Sequence, residues 1–226
     1  MDDAGRRFDA VLFDFSGVLV DSAFDAMRAL STHPDGDAVL ELLLGPYDRD
    51  TDHPWHQVER GELPIAEWLN STQVEADRRG IAIDFGQLAS WFSSLGPRPV
   101  MIDAVRELRA EGYRTAIVTN NVREVGESWR AKLPIDELFD AVIDSSEVGV
   151  RKPNPAIFAL ALEQLGGVAA GRAVFLDDHP GNIAGARAAG LHTVLVDDPA
   201  VAVAELRALL AGGAAPGSGS ASDRHQ

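Results

Sequence analysis

The second half of the chain alternates short apolar segments with helical ones, and this pattern restricts the possible folds more than any other feature. Apolar segments recur at 114–119, 141–144, 173–176 and 192–196. Short apolar runs without strict alternation are typical of strands that are buried on both faces. Helical patterns separate or follow them at 101–111, 156–165, 182–189 and 200–210. Strands that alternate with helices predict an α/β fold, with a parallel sheet covered by helices on both sides.

The first predicted strand is separated from the others by a long segment of different character. Residues 9–15 are an apolar run that ends at Ser16-Gly17, which predicts a buried strand and a turn. Helical periodicity follows at 38–44, 65–79 and 85–95, without a clear strand. We therefore predict a core of residues 1–20 and 98–211, and a helical cap at 21–97. The cap's tryptophans, Trp55, Trp68 and Trp91, are expected in its apolar interior.

Composition and charge exclude several classes of function. The chain has no cysteine, which removes disulfides, zinc–thiolate sites and thiol catalysis. A formal net charge of −15 repels the phosphates of nucleic acid, so no nucleic-acid partner is expected. No apolar run approaches membrane-spanning length, and from the first residues we expect no export signal. We expect a cytoplasmic monomer or homodimer without a membrane partner, and a disordered tail at 212–226.

Polar and charged side chains follow the predicted strands, at the edge where an open parallel sheet binds its ligands. They are Asp14 after the first strand, Thr119 and Asn120 after the second, Lys152 after the third, and Asp177 and Asp178 after the fourth. Structural alternatives exist for some of them. Asp177 and Asp178 could cap the helix that follows, and Thr119 and Asn120 could serve only a turn.

The order of these residues resembles the haloacid dehalogenase-like hydrolase superfamily. The segments FDFSGVLVDS, AIVTN, RKPNP and FLDDHPGN stand, in this order, where the family carries its four motifs. The segment WHQVERGELPIAEWLN resembles the helical-cap (C1) subgroup, which includes the N-terminal phosphatase domains of epoxide hydrolases. The resemblance implies a Rossmann-like core with an inserted α-helical cap. It also implies Mg²⁺-dependent hydrolysis of a small phosphorylated metabolite.

The resemblance implies a magnesium site. Carboxylates of Asp14, Asp177 and Asp178 would supply oxygen ligands, which Mg²⁺ prefers, and the backbone carbonyl of Ser16 would supply another. Because a phosphoester is anionic, a carboxylate nucleophile is repelled unless a cation intervenes.

The resemblance also implies the catalytic roles. Asp14 would attack phosphorus and form an aspartyl-phosphate, while Lys152 would neutralise Asp14 and the phosphoryl oxygens. Thr119 and backbone N–H groups near Gly17 and Asn120 would hydrogen-bond the phosphoryl group.

Ser16 departs from the family pattern, because phosphatases of the family usually carry there an aspartate that protonates the leaving group and activates water. Such acid–base help contributes roughly 10²–10⁴-fold, and a serine hydroxyl does not supply it at neutral pH. Three consequences stay open. Turnover is slow, or the substrate has a good leaving group such as an acyl or anomeric phosphate, or another group carries the proton. The candidates in the predicted cap are His33, His53 and His56.

Two rival functions stay open. A metal-free haloacid dehalogenase would retain activity under chelation and release halide, but it would leave Asp177 and Asp178 as uncompensated charges beside Asp14. A non-catalytic phosphate-binding or scaffold protein is favoured by Ser16 alone, and would bind phosphate analogues without turnover.

Overall fold

Five parallel strands form one sheet in the order β3-β2-β1-β4-β5. The computed structural model describes residues 5–22 and 36–212, apart from four side chains at positions 87, 88, 91 and 92. The strands are β1 Ala10–Phe13, β2 Arg114–Thr119, β3 Ala141–Asp144, β4 Ala173–Asp177 and β5 His192–Leu195. The predicted α/β fold with a parallel sheet is confirmed.

Helices cover this sheet and make up most of the described segment from residue 36 to the start of β2. They are α1 Gly36–Leu44, α2 Pro54–Glu59, α3 Ile65–Arg79, α4 Phe85–Ser94, α5 Pro99–Ala110, α6 Gly126–Arg130, α7 Ile135–Leu138, α8 Ser145–Val148, α9 Pro155–Gln164, α10 Pro180–Ala188 and α11 Pro199–Leu210. Among the described helices, none combines the length and the apolarity that crossing a membrane requires.

The two faces of the sheet carry separate apolar clusters, because successive side chains of a strand point to opposite faces. On one face, Val11 and Phe13 belong to a cluster that includes residues of α5 and α11. On the other face, Leu12 belongs to a cluster with residues of α9 and α10. Burial on both faces explains why the strands are apolar throughout rather than alternating.

Helices α1–α4, which we call the cap, form most of a third apolar cluster. It contains Val39, Leu43, Trp55, Val58 and Trp68. The rings of Trp55 and Trp68 lie 4.7 Å apart between centroids, so their predicted place in the cap's interior is confirmed. An inserted helical cap is therefore present, while its limits at 21 and 97 stay a prediction. The side chain of Trp91, the segment with His33 and the tail beyond residue 212 lie outside the described residues.

The strand order creates a crevice at the carboxyl ends of β1 and β4. The chain leaves β1 towards β2 and β3 on one side and returns to β4 and β5 on the other, and ligands bind where the direction reverses. Phe13 lies opposite Leu176 in the register, and the N–H of Asp14 donates to the carbonyl of Leu176 at 2.9 Å. The next residues of the two strands, Asp14 and Asp177, therefore lie side by side.

Candidate active site

Three carboxylates converge at this crevice. One oxygen from each of Asp14, Asp177 and Asp178 can be chosen so that all three lie within 4.8 Å of one another. Asp177 is fully buried and Asp14 is 8% exposed. The proximity expected from the strand ends is thus present, and it follows from the parallel register rather than from any local turn.

Lys152 brings one positive charge into this cluster. Its Nζ lies 2.8 Å from Oδ1 of Asp14 and 2.6 Å from Oδ2 of Asp177, and the residue is fully buried. Asn120 holds the lysine's backbone at two points. The Oδ1 of Asn120 accepts the N–H of Lys152 at 2.8 Å, and its Nδ2 donates to the carbonyl of Lys152 at 3.1 Å. The side chain of Asn120 therefore fixes the loop 149–154 around Lys152, which we call the lysine loop. The sequence did not indicate this contact.

The carboxylate of Asp177 is held in one orientation. Its Oδ1 accepts the backbone N–H of His179 at 2.7 Å, and the Nδ2 of Asn182 donates to both of its oxygens at 3.1 Å. The helix-cap alternative for Asp177 and Asp178 is wrong, because the N-cap of α10 is His179, whose Nδ1 accepts the N–H of Gly181. Asp177 thus serves as a rigid anchor for Lys152.

Gly17 makes room for Asp178. Its φ of 83° lies in the left-handed region, and a Cβ there would lie 1.9 Å from Oδ2 of Asp178. The N–H of Gly17 donates to the carbonyl of Val20 at 3.0 Å, and Oδ2 of Asp178 accepts the hydroxyl of Ser22 at 3.1 Å. The structure therefore gives Gly17 a steric role, while its predicted contact with phosphate stays a prediction.

The two hydroxyls at the crevice are loosely held. The Oγ1 of Thr119 donates to the carbonyl of Asn120 at 3.4 Å, and the Oγ of Ser16 donates to the carbonyl of Asp21 at 3.5 Å. Both distances are long for hydrogen bonds between oxygens. Both residues line the cavity described below, so both hydroxyls lie where a bound molecule can reach them.

The charges at the site do not balance. Burial raises the pKa of Asp14 well above its ordinary value, and the charges of Asp177 and Asp178 add to this against the opposing charge of Lys152. Burial and then Asp177 raise the pKa of Asp178 to about 6. Burial alone would lower the pKa of Lys152, but Asp14 and Asp177 outweigh it, so that pKa is raised. One ammonium thus faces three carboxylates, an arrangement that suits an added cation with oxygen ligands.

A cavity of about 830 Å³ opens above these groups, between the core and the cap. Its core side includes Asp14, Thr119 and Lys152, and its cap side includes Trp55 and Glu59. Its volume suits a small organic molecule that is largely enclosed.

The two described histidines of the predicted cap are not among the residues that line this cavity. The Nδ1 of His53 accepts the N–H of Trp55 and caps α2. His56 is fully buried, its Nδ1 accepts the N–H of Thr51, and burial together with the charge of Arg151 lowers its pKa to about 3. Both therefore stabilise the cap itself.

The cavity residues that were missed at the level of sequence include Tyr47, Glu59, His179 and Asn182. The rings of Tyr47 and His179 lie 4.6 Å apart and join the cap to the start of α10. Asn182 could have been found from the sequence, because it lies at the start of the predicted helix 182–189, soon after the acidic pair. Tyr47 and Glu59 carried none, because the packing of cap against core determines where they lie.

The family follows from a direct comparison. The model of the haloacid dehalogenase-like hydrolases matches residues 8–190. With the parallel sheet, the inserted cap and the carboxylates at the end of β1 and β4, the chain belongs to this family.

Curated relatives include proteins much longer than this chain. Mouse acyl-CoA dehydrogenase family member 10 is 36% identical over 91% of this chain, which spans 19% of that protein. Rat bifunctional epoxide hydrolase 2 is 28% identical over 86% of this chain, which spans 37% of that protein. Phosphoglycolate phosphatase of Colwellia psychrerythraea is 30% identical, with 82% of this chain and 83% of that protein covered. The predicted resemblance to the epoxide hydrolase subgroup is thus confirmed.

A solved structure confirms the fold. The L-2-haloacid dehalogenase RSc1362 superposes with a TM-score of 0.62 and 25% identity, covering 84% of this chain and 86% of that one.

Proposed function

We propose that this protein is an Mg²⁺-dependent phosphatase that hydrolyses small phosphorylated metabolites through an aspartyl-phosphate on Asp14. The observation that carries the proposal is the convergence of three carboxylates around a single lysine at the carboxyl edge of the sheet. A metal-free site would leave this excess of negative charge beside an anionic substrate. Similarity to a phosphoglycolate phosphatase over most of both chains supports the same activity.

The donors at the site fit Mg²⁺. The Oδ1 of Asp14 accepts the backbone N–H of Phe15 at 2.6 Å and also pairs with Lys152, so Oδ2 of Asp14 would serve the ion. Asp178, Asp177 and the backbone carbonyl of Ser16 would complete the protein ligands. When bound, Mg²⁺ supplies positive charge that offsets the repulsion between Asp14 and the phosphate.

Asp14, Lys152 and Thr119 have separate roles in the proposed reaction. A carboxylate oxygen of Asp14 attacks phosphorus, the bond from phosphorus to the leaving oxygen breaks, and the phosphoryl group stays on Asp14. Lys152 holds the nucleophile in place and balances charge on the phosphoryl oxygens. The hydroxyl of Thr119 donates to one of them. Water then hydrolyses the acyl phosphate, which releases inorganic phosphate and restores Asp14.

Ser16 determines which substrates react fast. Without a carboxyl at this position, the leaving oxygen departs without a proton from residue 16. We therefore propose that acyl or anomeric phosphates, whose leaving groups need no such help, are hydrolysed faster than alkyl monoesters.

A screen of phosphorylated metabolites, with Mg²⁺ and with a chelator, tests the proposal. We expect phosphate release only with Mg²⁺, and a loss of at least about 10⁴-fold in kcat/KM in Asp14→Asn. Asp103→Asn, on the exposed face of α5, is the matched control and should match the wild type. Halide release that survives chelation would show a dehalogenase instead. Binding of phosphate analogues without turnover, unchanged in Asp14→Asn, would show a non-catalytic protein.

A further inference from the structure

The residue before Lys152 is also a fully buried cation, and its contacts are on the opposite side. Nε of Arg151 lies 2.6 Å from Oε2 of Glu59, at the end of α2. Its Nη1 donates to the carbonyl of Arg49 at 3.3 Å, and its guanidinium carbon lies 5.6 Å from the centroid of the Tyr47 ring. All of these partners lie in the segment between α1 and the end of α2.

The lysine loop is therefore held from two sides. Asn120, at the end of β2, holds the backbone of Lys152 from the core, whereas the side chain of Arg151 ties the same backbone to the cap. The end of α2 is itself pressed against the core. At Gly61, just beyond α2, an added Cβ would lie 2.4 Å from the carbonyl oxygen of Ser146. The position of α2 on the core thus determines where the carboxylate of Glu59 lies relative to Arg151.

The guanidinium depends strongly on Glu59. Arg151 is fully buried and Glu59 is 2% exposed, and the Nη2 of Arg151 is buried without a hydrogen-bond partner. Removal of Glu59 would leave a buried charge that its remaining contacts do not neutralise. Glu59 and Tyr47 also line the cavity, so the groups that hold Arg151 are within reach of a molecule in the cavity.

We propose that Arg151 is a positioning residue, which couples the seating of the cap on the core to the placement of the Lys152 ammonium beside Asp14. Arg151 does not touch the reacting atoms. It acts through the peptide that it shares with Lys152, and Glu59 is its partner in this role. The catalytic part of the inference rests on the proposed phosphatase activity.

A double-mutant design separates positioning from simple stability. Arg151→Met and Glu59→Leu each leave one partner of a buried ion pair unpaired, so each should unfold at a lower urea concentration than the wild type. The double variant replaces both partners by apolar side chains, which often restores stability. We expect the double variant to recover stability but to keep a kcat roughly 10-fold to 100-fold below the wild type. Recovery of kcat together with stability would overturn the proposal, because the pair would then be merely structural.

A second readout is independent of turnover. The chain has only two lysines, Lys132 and Lys152, so isotopic labelling of lysine side chains gives two ammonium signals in an NMR spectrum. We expect the Lys152 signal to shift in the double variant while the Lys132 signal stays in place. If the wild type hydrolyses no phosphoester, the proposed function fails, and this signal still decides whether Arg151 positions Lys152. An unchanged Lys152 signal would overturn the inference.

Leu43→Ala is the matched control. Leu43 is a buried residue of the cap's apolar cluster, and no contact of its side chain with Arg151 or Lys152 is described. This variant should lose stability but keep the kcat and the Lys152 signal of the wild type. A matching loss of kcat in Leu43→Ala would mean that any loosening of the cap has this effect, which would also overturn the proposal.

Discussion

Lys152 and Arg151 are consecutive, fully buried cations, yet the balance of charge around them differs. Lys152 faces the core, where Asp14, Asp177 and Asp178 surround it. Arg151 faces the cap, where Glu59 pairs with it directly and the carboxylate of Asp50 is more distant, with its Oδ1 3.8 Å from Nη1.

This difference in charge balance indicates different roles for the two sides. The core side has more negative than positive charge, which suits a further cation with oxygen ligands and, under the proposed function, reaction with an anionic substrate. The cap side is close to neutral, so it needs no ion and serves to hold elements together. A buried pair of this kind contributes little net stability, but removal of one partner is costly.

The largest effect is expected from Lys152→Met. This change removes the only ammonium described beside Asp14, Asp177 and Asp178, the three carboxylates that we call the core cluster. We expect the free energy of unfolding to fall by about 3–5 kcal/mol, and kcat/KM to fall by about 10³-fold or more. Urea denaturation and steady-state kinetics measure both. Lys132→Met is the control for stability, because the hydrogen bonds described for Lys132 go to the carbonyls of Ser93 and Leu95 and not to a buried carboxylate. Equal losses of stability in the two variants would contradict the special status of the core cluster.

A smaller effect is expected from Ser16→Asp, which adds a proton carrier to the core side. With Mg²⁺ present, hydrolysis of alkyl monoesters should rise by roughly 10-fold to 100-fold. Substrates with good leaving groups should hardly change, since they need no acid. Comparison of an alkyl phosphate with p-nitrophenyl phosphate measures the difference. A large loss on both substrates would show that Ser16 has a role of its own.

Much of the core side could be predicted from the sequence, because strand ends and a parallel register are sufficient to bring Asp14 and Asp177 together. The partner of Arg151 could not be predicted. Glu59 lies 92 residues away, and only the docking of α2 brings it near. Helix α2 itself, with six residues, and the short α6–α8 escaped prediction, because a period of 3.6 residues barely repeats within them. The ends of strands in a parallel sheet are thus readable in sequence, whereas the docking of one segment on another is not.

The smallest effect concerns pH, and the two sides should respond in opposite directions. On the core side, burial and neighbouring charge raise the pKa of Asp178 to about 6 from 3.8. The unfolded chain therefore ionises first, and stability falls as the pH rises from about 4 to about 6. Mg²⁺ should abolish this fall, because it favours the ionised form. Urea denaturation across this range, with and without Mg²⁺, measures it. A fall that persists in saturating Mg²⁺ would contradict the charge imbalance.

On the cap side, burial lowers the pKa of His56 to about 3 from 6.5. Stability is then complete above pH 6.5 and is lost as the pH falls towards 3, by about 2 kcal/mol between pH 6.5 and 5. Mg²⁺ should not change this loss, whereas His56→Gln should remove it. The same denaturation series measures both. An unchanged loss of stability below pH 6.5 in His56→Gln would show that another group titrates.

Calorimetric titration with Mg²⁺ tests the central claim most directly, by comparing the loss of one carboxylate on each side. The wild type and Glu59→Gln should each bind one Mg²⁺ per chain, whereas Asp178→Asn should bind at least about 10-fold more weakly. Mg²⁺ binding that is absent from the wild type, or equally strong in Asp178→Asn, would contradict a core cluster that is completed by a divalent cation.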